Sequence, residues 1–421
     1  FSSRRRHTRY ISVTGVQTCA LPICNPNVKI VYGGTWATGV YPLSKSIDYI
    51  IKGMADFAIL RLVDHIRTGQ SIPYMPTTHP GQRFIDFDQF GQQFNFPSSY
   101  TEYKPEDHVR PGEIMCLETS RGCMFKCNFC NFALTGRKTT DPKYHKNLNT
   151  LTAELKRNWQ SYQINHYYIL DDTFNETTDK LRMVQQAILD SGVPNFRFFA
   201  YLRLDLLRQY PEQIQILKDM GLQAAKFGIE TLNDPSLKAI GKPLQSRYVK
   251  DTLYDLKASW GEQVFMSGSF IIGLPYETRE TVAEWFSWLT SDNCPLDNSS
   301  LHHLIIDQAN PSPFGKDVEK FGYRMISTPG NTGPLYNWVS DYWSKEDCKE
   351  LAKTYNRKLF LSRKKIAEAW EVLGVQDIGH SFDWARTTPA LDRDVVAQRA
   401  LLDKQREHYI KELCEYEGIE L

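Results

Sequence analysis

No stretch of this 421-residue chain approaches the roughly 18 consecutive apolar residues that a membrane-spanning helix needs, so no membrane insertion is expected. An excess of charge is also missing. The 50 Lys and Arg residues stand against 49 Asp and Glu, a formal net charge of +1, so no whole-protein field draws in nucleic acid or an anionic membrane. The evenly spread, even-numbered cysteines of a disulfide-stapled secreted domain are lacking too. Nine cysteines is an odd number, three of them crowd into residues 123–130, and no secretion signal is recognisable. That usage points to a reducing, cytoplasmic setting and to ligation of a metal or cofactor. What remains, 41% hydrophobic and 24% charged residues, suffices for one large globular domain with smaller attachments.

The opening "FSSRRRHTRYISVTGVQTCALPIC" fits neither helical nor strand periodicity, and no continuous apolar segment follows Arg4, Arg5, Arg6 and Arg9. It resembles translated sequencing adapter, and residues 1–23 are read as an arm foreign to the fold. Within 24–70, "VKIVYGG" predicts a buried strand ending on Gly33 and Gly34, and "DYIIKG" predicts a second. Phe57, Leu60, Val63 and Ile66 then fall at helical spacing, with Gly69 as the stop. Two strands and one helix read as the back half of an α/β domain. Residues 71–110 carry Pro73, Pro76, Pro80, Pro97 and Pro105 and few periodic runs, which predicts a wandering linker.

From 111 to 325 the pattern becomes regular. Strand-like runs at 114–120, 166–172, 196–203, 224–231, 264–275 and 301–307 alternate with helical patterns near 148–162, 177–191, 211–220, 245–259 and 279–290. Six strand-helix repeats predict a parallel sheet with right-handed crossovers, curling toward a partial barrel, with any cofactor at the carboxyl ends of the strands. The stretch 326–421 reads as a helical C-terminal region; Ser344 as N-cap with Asp347 three residues on marks one helix start. Tyr336, Trp338, Tyr342 and Trp343 make its beginning aromatic, suited to packing the tail on the barrel or to lining a pocket.

"RGCMFKCNFCNF", residues 121–132, spaces Cys123, Cys127 and Cys130 as C-x3-C-x2-C. Three thiolates can hold a four-iron, four-sulfur cluster while leaving one iron open, whereas a structural zinc ion wants a fourth protein ligand. Cys116 lies within the preceding strand, where extended backbone carries it away from the triplet. An open iron is a place for a cosubstrate to bind.

The triplet with an aromatic residue, Phe129, before its last cysteine resembles the signature of the radical S-adenosylmethionine (SAM) superfamily. "LDDTF" at 170–174, "GIET" at 228–231 and "IIGLPYET" at 271–278 resemble the motifs that follow it, in the same order. The resemblance implies an α/β fold with a partial (β/α)6 barrel core. It also implies a [4Fe–4S] cluster on the three cysteines and SAM held near Phe129, Asp172, Arg203, Glu230, Gly273 and Leu274. In that scheme Asp172 or its neighbour Asp171 faces the amino group of SAM, Arg203 clamps its carboxylate, and Glu230 binds the ribose hydroxyls. Gly273 and Leu274 give backbone contacts to adenine. His302 and His303 alternate across a strand, and a packed core position is the expectation for them. The segment "KIVYGGTWAT" with "DYIIKGMADFAILRLVDHIRTG" resembles the second half of a Rossmann-like cobalamin-binding domain, with Gly33 and Gly34 near the cofactor tail. "GMAD" replaces a more acidic family motif, and cobalamin is expected in a full-length protein rather than in this chain.

The implied activity is reductive cleavage of SAM to a 5'-deoxyadenosyl radical, followed by cobalamin-dependent C-methylation of a small-molecule substrate. A cobalamin-dependent cyclisation or rearrangement is the alternative, and a non-catalytic metal-binding module the reading from another class. The implied protein partner is a reductant such as flavodoxin or ferredoxin, with no nucleic acid and no membrane.

Overall fold

The computed structural model describes residues 29–34, 47–52, 56–72, 77–79, 82–86, 96–104, 109, 114–130, 144–306, 312–326 and 337–362. The expected foreign arm, residues 53–55 and the tail beyond 362 lie outside these.

Two short strands, β1 (Val31–Gly34) and β2 (Tyr49–Lys52), pair in parallel, and helix α1 (Asp56–Thr68) follows them. Ala58 and Leu62 of α1 bury against Tyr49, Ile51 and Ile72, and Ile47 and Ile50 form a second small cluster. The stretch read as a linker supplies two further strands, β3 (Thr77–His79) and β4 (Gln82–Asp86). Strand β4 pairs in parallel with β2, and β3 closes the edge antiparallel to β4. Between Pro80 and a polar continuation, five residues are too short a run to show strand alternation in the sequence.

The core is a six-stranded sheet of β5 (Ile114–Leu117), β6 (His166–Ile169), β7 (Arg197–Leu202), β8 (Leu222–Glu230), β9 (Phe265–Ile272) and β10 (Asn298–His303). They lie side by side in chain order, and every adjacent pair is parallel. Helices fill the crossovers: α2 (Leu148–Tyr162), α3 (Thr178–Ser191), α4 (Leu204–Gln209), α5 (Glu212–Asp219), α6 (Asp234–Ala239), α7 (Ser246–Trp260) and α8 (Arg279–Thr290). Sequential parallel order with a helix in each crossover is the open (β/α)6 arrangement. Each long helix starts or stops on a local signal. Asn147 and Thr177 accept from the third residue onward at the N-termini of α2 and α3, and Thr278 with Thr281 forms a reciprocal cap on α8.

Side chains separate cleanly by strand parity. Met115, Leu117, Tyr167, Ile169, Phe198, Ala200, Phe227, Ile229, Met266, Phe270 and Ile272 join the helices in the main core. Ile114, Tyr168, Phe199, Tyr201, Ala224 and Phe265 form a second cluster on the other, concave face. The last strand begins earlier than the expected 301–307, because Asn298, Ser299 and Ser300 pair with Ser267, Gly268 and Ser269 of β9. Serines have weak strand preference, and only burial in the sheet makes them part of it.

Beyond the sheet, β11 (Tyr323–Met325) and β12 (Trp338–Ser340) form an antiparallel pair, and helix α9 (Lys345–Leu361) packs on β10. Ser344 and Asp347 cap α9 reciprocally as expected: Asp347 N–H donates to Ser344 Oγ at 3.1 Å, and Ser344 N–H donates to Asp347 Oδ2 at 3.2 Å. Trp338 and Trp343 are buried and donate to the carbonyls of Leu304 (3.1 Å) and Glu277 (2.9 Å), whereas Tyr342 is exposed. Both tryptophans therefore fasten the tail to the barrel; Tyr336 lies outside the described residues.

The carboxyl ends of β5 and β6 are tied by a buried ionic cluster. Asp171 accepts from the backbone N–H of Thr119 (2.8 Å) and Ser120 (3.0 Å) and from both hydroxyls, and Lys180 of α3 lies 2.7 Å from it. Lys180 also meets Glu176 at 2.9 Å. Burial alone raises the Asp171 pKa, but the Lys180 ammonium and the Thr119 and Ser120 hydrogen bonds outweigh it and hold the group below the usual carboxylate range. Lys180→Met leaves Asp171 and Glu176 buried without their shared cation. Urea unfolding is expected to show a loss of about 3–5 kcal/mol, and a loss under about 1 kcal/mol, within the range of an exposed pair, would contradict the assignment.

Candidate active site

The cysteine loop leaves the carboxyl end of β5 through Thr119 and Ser120, the residues that Asp171 holds. Arg121 is steadied by a two-point bond to Glu118 (3.0 and 2.7 Å), and Gly122 then takes a left-handed φ of 70°, turning the chain into the triplet. Cys127 is buried, Cys123 and Cys130 half-buried, and none of the three is in a disulfide. Asn128 between them anchors the loop. Its N–H donates to Ile240 O (3.0 Å), its side chain to Ala239 O (2.9 Å), and its own carbonyl accepts from Phe314 N–H (2.8 Å). The loop is thus clamped between the end of α6 and the segment around Phe314. Sequence reasoning passed over Asn128, whose role depends on two elements over a hundred residues away.

Cys116 lies inside β5, paired with Tyr168, and burial together with Glu118 pushes its thiol up to about 12. It is a strand residue rather than a fourth ligand. Among the described residues no three or more His, Cys, Asp or Glu side chains converge on one metal ion. An iron–sulfur cube takes each thiolate at a different iron, so three reduced cysteines spread along one short, anchored loop fit the cube. Burial raises the Cys123 thiol, opposed by hydrogen bonds from Thr173 and the Phe125 N–H, and raised again by the charge of Asp172.

Asp171 and Asp172 have divided their roles. Asp171 is the buried anchor, and Asp172 is exposed, with its carboxylate near enough to Cys123 to act on its thiol. Phe129 is half-buried against the main core, with Lys242 Nζ 5.8 Å from its ring centre. Glu230, ending β8, is buried and has a left-handed φ of 73°, a costly conformation for a side-chain-bearing residue. Lys242 lies 3.5 Å from its carboxylate. Burial pushes Glu230 up, and the charges of Lys242, Arg203 and Lys226 partly offset it. Arg203 follows β7 and reaches the cysteine loop, its Nη1 donating to Cys127 Sγ at 3.3 Å.

Gly273 and Leu274 follow β9 in a tight turn. Their N–H groups both donate to Glu277 Oε2, at 3.2 Å each, Gly273 O accepts from the Tyr323 hydroxyl at 2.6 Å, and the Leu274 side chain is buried. With both N–H donors taken up by Glu277, these residues form a rigid turn. Gly273 has a φ of 92°, and a Cβ there would fall 2.6 Å from Cys348 Sγ. Gly33 and Gly34 end β1, in register with Ile51 and Lys52 of β2. His302 shares the concave face with Ile271 and is exposed; His303 is half-buried toward Lys345 and Lys349. Neither is the packed core histidine expected.

Residues 117–289 match the family model for the Radical SAM superfamily. Over 280 residues the chain is 28% identical to an uncharacterized methyltransferase of Pyrococcus horikoshii, covering 61% of this chain and 57% of that protein. It is 26% identical over 258 residues to the cytidylyl-2-hydroxyethylphosphonate methyltransferase of Streptomyces wedmorensis, covering 57% and 45%. The chain spans about half the length of these curated relatives. Two solved structures share the fold. One is the radical S-adenosylmethionine methyltransferase TsrM from Kitasatospora setae with cobalamin and a [4Fe–4S] cluster bound, at TM-score 0.53, 16% identity, 72% of this chain and 63% of that one. The other is the cobalamin-dependent S-adenosylmethionine radical enzyme OxsB with aqua-cobalamin and SAM bound, at TM-score 0.55, 14% identity, 94% of this chain and 64% of that one.

Glu277 was missed as a site residue although it lies within "IIGLPYET". It is fully buried, forms no salt bridge among the described residues, and accepts from Thr231 Oγ1 (2.6 Å), Trp285 Nε1 (3.3 Å) and the turn N–H groups. Burial dominates these hydrogen bonds and pushes it up from 4.5 to about 7. Between those values the native state binds the extra proton, so this group's contribution to stability is full below about 4.5 and falls as pH rises through about 7, by about 3 kcal/mol in total. Comparing urea unfolding at pH 5 and pH 8, Glu277→Gln is expected to flatten that decline. An unchanged pH dependence would show that Glu277 is ionised throughout.

Proposed function

We propose that residues 117–289, which match the Radical SAM family model, reductively cleave SAM and that, with cobalamin bound, the protein methylates carbon on a small-molecule substrate. The observation that carries this reading is a convergence. The Cys123–Cys127–Cys130 loop, Asp172, Arg203 and Glu230 all stand at the carboxyl ends of consecutive parallel strands, at the mouth of one open barrel. The methyltransferase names of both curated relatives favour methyl transfer over cyclisation or rearrangement.

When bound, a [4Fe–4S] cluster with one open iron supplies the electron that breaks a sulfonium carbon–sulfur bond of SAM to give a 5'-deoxyadenosyl radical, and cobalamin supplies the methyl group. The cysteines hold the cluster. Asp172, exposed beside Cys123, offers an anionic acceptor for the amino group of SAM. Glu230, aimed by its strained backbone, offers its carboxylate to the ribose hydroxyls, with Lys242 fixing its rotamer. The concave face, walled by Tyr168, Phe199, Tyr201 and Phe265, keeps bulk water from a reactive radical and restrains a small substrate. Gly33 and Gly34, without side chains at the carboxyl end of β1, suit close approach of a cobalamin tail. A cytoplasmic flavodoxin or ferredoxin is the proposed electron donor.

The test is anaerobic reconstitution of the full chain with iron and sulfide, then incubation with SAM and dithionite. Iron near four per chain and 5'-deoxyadenosine detected by mass spectrometry are expected. Replacing Cys123, Cys127 or Cys130 singly by Ala should reduce that product to the iron-free background. Zinc retained without iron, or product formation untouched by all three substitutions, would refute the reading. Transfer of deuterated methyl from SAM to substrate carbon by the complete protein tests the second half.

A further inference from the structure

The resemblance gives Arg203 to a cosubstrate carboxylate, yet its guanidinium is already engaged on three sides. Nε and Nη2 make paired bonds to the two oxygens of Asp205, at 3.0 and 2.9 Å. Nη1 donates to Cys127 Sγ at 3.3 Å, and the guanidinium carbon lies 3.9 Å from the centre of the Phe125 ring. The backbone is fixed as well. Asn175 accepts from Arg203 N–H (2.8 Å) and donates to Arg203 O (3.1 Å), and Asn175 itself bonds buried Gln213 (3.1 Å). A planar fork fitted to one carboxylate, stacked on one ring and pointed at one sulfur has little freedom to swing elsewhere. Phe125 belongs to the cysteine loop, so the stack also joins that loop to the end of β7.

A cluster that accepts an electron gains negative charge, part of which resides on its thiolate sulfurs. A hydrogen bond and a positive charge held at such a sulfur favour the reduced form and raise the potential. Asp205 orients the fork while moderating its charge, so the hydrogen bond at Cys127 is the directional part of the effect. We infer that Arg203 is a positioning residue that sets the reduction potential of the cluster through Cys127, with Asp205 and Phe125 holding it there. This rests on the reading of Cys127 as a cluster ligand.

The experiment is a redox titration of the anaerobically reconstituted full chain, followed by electron paramagnetic resonance in the absence of SAM. Arg203→Met, which keeps the stem and removes charge and donors, is expected to move the midpoint to a more negative value at unchanged iron content. Arg203→Lys, with a compact charge that cannot pair with Asp205 and reach Cys127 together, should move it less in the same direction. A midpoint unmoved in both variants, with weakened SAM binding as the only change, returns Arg203 to the carboxylate-clamp role and overturns the inference. Loss of iron from both variants would make Arg203 a requirement for assembly and likewise overturn the tuning role. Absence of any cluster signal from the unmodified chain would fell the parent reading, and this one with it.

Discussion

The carboxylate of Asp171 is the constraint from which the geometry of the mouth follows. It sits at the carboxyl end of β6 and receives two consecutive backbone N–H groups from the chain leaving β5. Those donors have no ladder partner once the strand ends, so their capture by a charged acceptor decides where the sheet stops and the cysteine loop starts. Lys180, reaching from α3, makes the arrangement neutral enough to bury. Strand, loop and helix therefore meet at one ion pair, and Cys123 begins its turn only three residues beyond Ser120.

A second buried carboxylate shows the opposite solution to the same problem. Glu277 has no ion-pair partner among the described residues and is kept in place by neutral donors, among them the N–H groups of the turn after β9. The turn needs the positive φ of Gly273, and the tail closes over it through Cys348, Trp338 and the hydroxyl of Tyr323. At one side of the mouth a charged network organises a loop that carries ligands; at the other, a carboxyl that burial drives toward its neutral form organises a turn that carries the tail.

The parts of this arrangement legible in the sequence are those encoded locally. The helices showed in their apolar periodicity, the start of α9 in Ser344 and Asp347, and the triplet spacing displayed its chemistry within eight residues. Strand β10 was displaced because its first half is Asn-Ser-Ser, residues that become strand only when β9 lies beside them. Strand β4 was missed because Gln-Arg-Phe-Ile-Asp shows no apolar–polar alternation. Asn128 and Glu277 stayed hidden because one acts through residues remote in sequence and the other through a turn whose donors look ordinary until their acceptor is placed. The division between Asp171 and Asp172 needed the fold as well, since adjacent carboxylates at a strand end differ only in which one the sheet buries.

The concave face itself is asymmetric, and that asymmetry bears on what the barrel can hold. Toward β6 and β7 it is aromatic, with Tyr168 and Phe199 stacked 4.9 Å apart and Tyr201 beside them. Toward β9 and β10 it is small and polar, with Ser267, Ser269, Asn298 and Ser300 in facing register and Asn298 donating to Ser267 at 2.8 Å. The Oγ of Ser300 is buried without a hydrogen-bond partner among the described residues, and Lys226 of β8 stands between the two walls, in register with Tyr201 and Ser267. Buried polar atoms without partners are costly in a closed core and tolerable where another molecule or water completes them. The interior thus has an aromatic wall on β6 and β7 and a hydrogen-bonding wall on β9 and β10, with Lys226 between them.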